Sequence, residues 1–426
     1  MFLDNIINDP DTKPYQIPPL TKTPLVRKLQ EKIKQILSTD QKKSFAFVYL
    51  PEIVSRLEEW KKNLNRIKPF YAIKCNSDPE ILRLMANNED FGFDCASAKE
   101  IKQILTLGVD PNRIIFAHPC KPKSDILFAK QNKVKKTTFD SIEELDKISS
   151  IYPEAELVLR IKTEDQSSFF PLSTKFGANI ADVEKILDHA LKLKLNVIGV
   201  AFHVGSNCQE SSPYIKALEN CYNIFEMAKK KDIQMRLIDI GGGFPGAGEE
   251  ISNTSNKGRF LDFSKDISEK ISELFGEGNI EFIAEPGRYF ATTTTTLVLE
   301  VISKRLVVDE NEKKKFQYFI GDGLYGCLNN IALDHCEPRA YLVRKLRSDN
   351  EKEVFQSSLF GPTCCSMDCV AKSIMLPELY VGDWLVFYNM GSYTCSIATS
   401  FNQCFLEDFY YFSDEKDDIL HYQIQK

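Results

Sequence analysis

The sequence predicts an α/β protein: a (β/α)8 TIM barrel, then a C-terminal, mainly antiparallel β domain that also takes in the N-terminal segment. Three observations point there. From about residue 69, eight short apolar runs alternate with amphipathic helical stretches. Each run leads into a chemically active side chain or a glycine turn. After "EPGRYF" the helical periodicity gives way to β-branched and aromatic runs. Eight alternations fit a closed barrel better than an open doubly wound sheet.

The runs justify themselves in order. "PFYAIK" ends at Lys74, "FGFDC" carries Asp94, "RIIFAH" ends at His118 and "KKTTFD" at Asp140. "ELVLRI" carries Arg160, "NVIGVAFH" ends at His203, "MRLIDI" leads into Gly241-Gly242-Gly243, and "IEFIAE" ends at Glu285. Between them, stretches such as "SAKEIKQILTLG" and "SPYIKALENCYNIFEMAKKK" space their apolar residues as surface helices covering a sheet do. The early run "SFAFVYL" is a strand ahead of the barrel. These readings set the barrel at 46–285 and the β domain at 1–45 and 286–426.

Composition narrows the function. A net charge of −6 argues against nucleic acid or an anionic membrane as the main partner. No apolar run reaches membrane-spanning length, and no basic segment followed by an apolar stretch opens the chain. The twelve cysteines are scattered without a CxxC pair, several inside apolar runs. Reduced thiols in a soluble cytoplasmic protein are the expectation, with no metal. Cys364, Cys365 and Cys369 lack the spacing and histidine company of a zinc site.

In a barrel, catalytic groups gather at the C-terminal ends of the strands. A single strand-ending Lys or Asp is more often solvated turn than catalyst. Eight such ends together point to a site. His118 alone reads as structural and is left out. "GGGFPG" and "GDGLYG" formally fit G-x-G-x-x-G, but Pro245 interrupts the first and the second lies in the β domain. A glycine turn after the seventh strand, beside "EPGR" after the eighth, reads instead as a phosphate clamp. A lysine, an opposed phosphate clamp and a carboxylate at Glu285 together suggest pyridoxal phosphate. That cofactor bonds covalently to a lysine and needs an acid at its ring nitrogen.

The stretches "PFYAIKCN", "DFGFDCAS", "FHVGS", "DIGGGFPG", "EPGRY", "DGLYG", "GPTC" and "GDW…YNMGSYT" stand in family order from about residue 40 to 412. Together they resemble the eukaryotic ornithine decarboxylases, members of the alanine-racemase-like (fold-type III) pyridoxal phosphate enzymes. The resemblance implies that Lys74 carries the cofactor, Glu285 pairs with its ring nitrogen and His203 stacks on its face. Ser206, Gly242, Gly243, Gly287, Arg288 and Tyr393 would hold the phosphate end, with Asp94, Glu100 and Arg160 supporting the pocket. It implies a homodimer with shared sites, in which Cys364 protonates the substrate carbon across the interface and Lys175 pairs with the partner's counterpart of Asp368. Tyr325, Leu333, Asp334, Cys365 and Phe401 would line the substrate side. The implied reaction is decarboxylation of L-ornithine to putrescine and CO2, the first step of polyamine biosynthesis.

The pattern breaks once. Most of the family reads Cys-Asp after "GPT", and the second residue takes part in holding the distal ammonium. This chain has Cys365 there, leaving Asp334 as the one carboxylate of the pair. Alternatives stay open: lysine or arginine as substrate, or a non-catalytic relative that binds a regulatory protein. The last predicts decay at Lys74, the glycine turn or Cys364, and none has decayed. An inhibitory regulatory protein is kept open as a further partner.

Overall fold

The computed structural model describes residues 15–16, 24–39, 43–164, 168–170, 172–246, 256–308, 313–343, 353–413 and 419–423. The described residues from Leu50 to Thr292 form one compact unit, and those up to Tyr49 and from Thr293 onward form another.

The first unit is a closed parallel barrel of eight strands. They are β1 (Ile67–Ala72), β2 (Gly92–Cys95), β3 (Ile114–Phe116), β4 (Lys136–Phe139), β5 (Glu156–Arg160), β6 (Asn196–Ala201), β7 (Leu237–Asp239) and β8 (Glu281–Ala284). Strand β8 pairs with β1 to close it. All eight apolar runs of the sequence become barrel strands. Being covered on both faces, parallel strands read as near-continuous apolar runs, which is why they stood out. Phe70, Ile115, Val158, Ile198, Leu237 and Ile283 form one buried cluster. Residues from opposite sides of a barrel can meet only inside it, so this cluster is the barrel's filled interior.

Helices follow the strands: α1 (Pro79–Ala86), α2 (Ala98–Thr106), α3 (Lys123–Gln131), α4 (Ile142–Ile151), α5 (Val183–Lys192), α6 (Ser212–Lys230), α7 (Asn256–Phe275) and the single turn α8 (Arg288–Ala291). Their starts are written locally. Asp78, followed by Pro79, accepts the N–H groups of Glu80 and Ile81, and Ser97 and Ser141 do the same for Glu100 and Glu144.

The units divide a few residues away from the expected 46–285. The strand Phe45–Tyr49 pairs with Thr295–Val308 and Asp408–Phe412, so it belongs wholly to the β unit. The barrel unit runs on through α8 because that turn packs on the helix Pro51–Asn63. There Tyr289 and Phe290 lie against Trp60, and the Tyr289 hydroxyl donates to Glu59 at 2.9 Å.

In the β unit, Thr295–Val308 is the long central strand. It pairs antiparallel with Lys314–Ile320, Trp384–Phe387 and Phe45–Tyr49. Among the described residues three pairings of this unit are parallel: Lys314–Ile320 with Val354–Phe360, Phe45–Tyr49 with Asp408–Phe412, and Tyr15–Gln16 with Cys369–Pro377. The helix Pro24–Leu37 buries Leu29, Ile33 and Ile36, one face at i, i+4, i+7, against Phe45, Phe47, Val298 and Phe412. Among the described residues no helix is long and apolar enough to cross a membrane.

Candidate active site

The barrel brings its strand-end residues to one mouth. Lys74 sits in a turn directly after β1, Asp94 within β2 and Arg160 at the end of β5. His203 lies two residues beyond β6, Gly242 and Gly243 follow β7, and Glu285 is the first residue after β8. The Lys74 ammonium meets Asp94 Oδ2 at 2.5 Å, with the lysine side chain partly exposed and the aspartate wholly buried. The other oxygen, Asp94 Oδ1, is buried without a hydrogen bond. Behind it, Glu100 on α2 accepts the Ala96 N–H at 2.5 Å, and burial pushes its carboxyl up.

His203 is held as a neutral ring. Its Nδ1 accepts the Gly205 N–H at 3.0 Å, so that nitrogen carries no proton. Burial, with Arg160 and Lys74 as neighbouring cations, pushes its pKa well below the usual histidine value. The glycine turn makes room for it. A Cβ on Gly242 would stand 2.8 Å from both His203 Nε2 and the Glu285 carbonyl oxygen. Gly243, at φ +105°, would place a Cβ 2.6 Å from the Gly205 carbonyl oxygen. At the same mouth Arg288 Nη2 donates to Ser206 Oγ at 3.1 Å. Gly287 packs against Cys75, the neighbour of Lys74, where a Cβ would come within 2.7 Å.

The sequence reading passed over Asp239, the last residue of β7. It is fully buried, Oδ1 accepting the Gly241 N–H at 2.9 Å and Oδ2 without a hydrogen bond. Gly241 in turn accepts the Glu285 N–H at 2.8 Å, so one glycine links the two acids. Burial pushes Asp239 up to about 7. Burial, with Asp239 and Asp94 adding like charge, pushes Glu285 well above the usual carboxylate range.

A raised acid binds its proton more tightly folded than unfolded. Its contribution to stability is therefore present below the unfolded pKa of about 3.9 and lost as pH rises through the folded value. Asp239→Asn removes that loss while keeping an acceptor for Gly241. The cofactor-free variant should be more stable than the cofactor-free parent at pH 8, by an amount on the order of 2–4 kcal/mol, and should melt at a higher temperature. Differential scanning calorimetry should find the two converging near pH 4. Equal melting at both pH values would remove the electrostatic role of Asp239.

The remaining predicted residues, Lys175 apart, lie in the β unit. The Tyr325 hydroxyl donates to Cys365 Sγ at 3.1 Å, and its ring lies 4.7 Å from that of Phe401. Leu333, exposed, ends the short helix Asn330–Leu333, and Asp334 follows it. Tyr393 is held at φ +50°. Cys364 is exposed, its N–H on Asn402 Oδ1 at 3.0 Å. Lys175 is exposed on the barrel unit, its ammonium 5.0 Å from the Phe176 ring. Asp368, to which the resemblance gives an interface role, already has partners within its own chain. It is buried and accepts from Leu324 N–H (2.7 Å), Thr363 N–H (3.1 Å) and Thr363 Oγ1 (2.7 Å). In the single chain it staples its own loop to the one carrying Tyr325.

The family described as pyridoxal-dependent decarboxylase, pyridoxal binding domain, matches residues 50–292. The chain belongs to the pyridoxal-dependent decarboxylases. The decarboxylase is 39% identical to a probable ornithine decarboxylase of Dictyostelium discoideum over 428 residues, covering 98% of this chain and 88% of that one. It is 41% identical to antizyme inhibitor 2 of Xenopus laevis over 382 residues, covering 88% and 82%. Among solved structures, the arginine decarboxylase of Paramecium bursaria Chlorella virus superposes with a TM-score of 0.83 at 35% identity, over 90% of this chain and 100% of that one.

The barrel mouth fits the decarboxylase's cofactor, pyridoxal phosphate. It offers a reachable amine at Lys74, a neutral ring at His203 and a floor that Gly242 keeps free of side chain. Its acids Asp94, Asp239 and Glu285 make a bound cation welcome, and a protonated ring nitrogen is one.

Proposed function

We propose that this decarboxylase converts L-ornithine to putrescine and CO2, as a homodimer in which each subunit completes the other's site. The observation that carries the substrate reading is the likeness, over nearly the whole chain, to a probable ornithine decarboxylase. Bound pyridoxal phosphate supplies an electron sink for the pair left by the departing carboxylate.

The chain's own residues do the rest. Lys74 holds the cofactor through Nζ, and Asp94 keeps that amine in place. Glu285 would keep a proton on the ring nitrogen, His203 would lie on the ring face, and Arg160 would add positive charge beside it. Ser206, Gly243, Gly287, Arg288 and Tyr393 take the phosphate. Asp334 receives the distal ammonium, with Tyr325, Leu333 and Phe401 around the chain of the substrate. Cys364, exposed in the single chain, delivers the proton to the substrate carbon of the neighbouring subunit, with Lys175 and Asp368 at the interface.

Cys365 sets the affinity. A charge-assisted hydrogen bond contributes about 1.5–3 kcal/mol, which at 1.4 kcal/mol per decade is roughly ten- to a hundred-fold. Here the Tyr325 hydroxyl points at a thiol rather than a carboxylate. Cys365→Asp should therefore lower the KM for ornithine by about that factor. The same gap favours a second reading, with lysine or arginine as the better substrate. Steady-state decarboxylation of all three amino acids, by parent and Cys365→Asp enzyme, separates the cases. A parent kcat/KM tenfold higher for lysine or arginine would sink the ornithine assignment. An unchanged KM in the variant would sink the proposed contact.

A further inference from the structure

Two thiols outside the proposed chemistry meet in the β unit. Cys327 and Cys395 stand 68 positions apart in sequence, yet their Sγ atoms are 2.9 Å apart. That is less than one ångström longer than a disulfide bond, about 2.05 Å. We propose that Cys327 and Cys395 are a redox modification site, closing to a reversible disulfide that ties the loop of Tyr325 to the loop of Tyr393.

Both backbones are already fixed where the thiols meet. Asp322 accepts the Gly323 and Cys327 N–H groups, each at 2.9 Å, one on either carboxylate oxygen. On the other loop Thr394 Oγ1 donates to the Met390 carbonyl at 2.6 Å. The loops are then stitched to each other by Asn329 Nδ2 on the Thr394 carbonyl at 3.3 Å, and by Thr399 N–H on the Tyr325 carbonyl at 2.9 Å. Closing the bond needs a small approach of two held groups and no rearrangement of the fold.

The two thiols differ in a way that assigns their roles. Cys395 is half-buried and reachable, whereas Cys327 is buried. The hydrogen bond with Cys395 and burial together push the Cys327 thiol well up, so it is the poorer first nucleophile. A peroxide is the oxidant. The Cys395 sulfur attacks one peroxide oxygen; an S–O bond forms, the O–O bond breaks, and water leaves with the second oxygen. The Cys327 sulfur then attacks Cys395 Sγ; the S–S bond forms, the S–O bond breaks, and hydroxide leaves as water with the Cys327 proton. Two thiols lose two electrons and hydrogen peroxide becomes two waters. A dithiol reductant reverses the net change.

The significance for Tyr325 and Tyr393 rests on the proposed function, so the test needs no turnover. The full-length holoenzyme is treated with hydrogen peroxide, denatured in N-ethylmaleimide, digested and mapped by mass spectrometry. A cross-linked peptide pair joining Cys327 to Cys395 is expected, lost after dithiothreitol and absent from Cys395→Ser. The oxidised enzyme should also melt about 3–8 °C above the reduced one, because the bond constrains a long loop of the unfolded chain. That rise should vanish in Cys395→Ser. In Cys327→Ala, Cys395 has no resolving partner and should proceed to the sulfinic acid under the same dose. Finding both cysteines maleimide-labelled in the oxidised parent, or Cys395 sulfinic while Cys327 stays labelled, overturns the proposal.

Discussion

Glu285→Gln should slow decarboxylation by about 10²–10³-fold while making the cofactor-free protein more stable at pH 8. The two effects share one cause. In the barrel mouth Glu285 is buried beside Asp239 and Asp94, and its carboxyl is pushed well up. Lys74 and Arg160 offset only part of this, so a negative charge there is a cost that the folded state alone carries, and glutamine removes it. On the proposed reading the bound cofactor would give the same charge a partner, because the carboxylate would hold the proton on the ring nitrogen. Glutamine keeps the shape but not the charge, so His203 and Gly242 are left undisturbed. The loss then falls on kcat more than on substrate KM, because the charge matters most when the electron pair enters the ring. Calorimetry of the cofactor-free proteins and single-turnover decarboxylation check the two halves separately. A variant within threefold of the parent rate would remove Glu285 from the chemistry. A variant slowed but not stabilised would leave the rate argument and remove the account of its pKa.

What was legible in the sequence follows from which forces are local. The barrel strands could be read because burial on both faces makes apolar runs, and a charged or polar residue closing such a run is conspicuous. Lys74, Arg160, His203 and Glu285 stood out as candidates that way, and the glycine turn with them. Asp239 was not, because it lies inside "LIDIGGG" and its neighbour Glu285 is 46 positions later. Only the parallel pairing of β7 with β8, which sets Asp239 opposite Ile283, brings the two acids together. An acid embedded in an apolar run directly before a glycine turn was the available signal. His203 as a ring-stacking residue came from family resemblance and not from spacing. The meeting of Cys327 with Cys395 has no sequence signal, since it depends on how two β-unit loops are stitched. Asp368 shows the converse. Resemblance supplied a role at an interface, and the folded loop gives the same carboxylate three donors of its own.

Mixing Lys74→Ala subunits with Cys364→Ala subunits should restore activity that neither variant shows alone. On the proposed reading each change removes a group on which turnover depends, the amine that would hold the cofactor or the thiol that would deliver the proton. Each pure variant should therefore fall by at least about 10²-fold, the scale of a lost proton donor or covalent partner. Lys74 lies in the barrel unit and Cys364 on an exposed loop of the β unit. If a site takes its lysine from one subunit and its cysteine from the other, a mixed dimer has one doubly damaged site and one intact site. Random exchange makes about half of the dimers mixed, so the mixture should recover about a quarter of parental activity. If each site took both residues from one chain, every site in every dimer would carry a defect and mixing would restore nothing. Recovery should also depend on dilution, falling as the subunits separate, whereas a site contained in one chain would show no such dependence. The size of the recovery thus reports how the site is divided between chains, independently of which amino acid it decarboxylates.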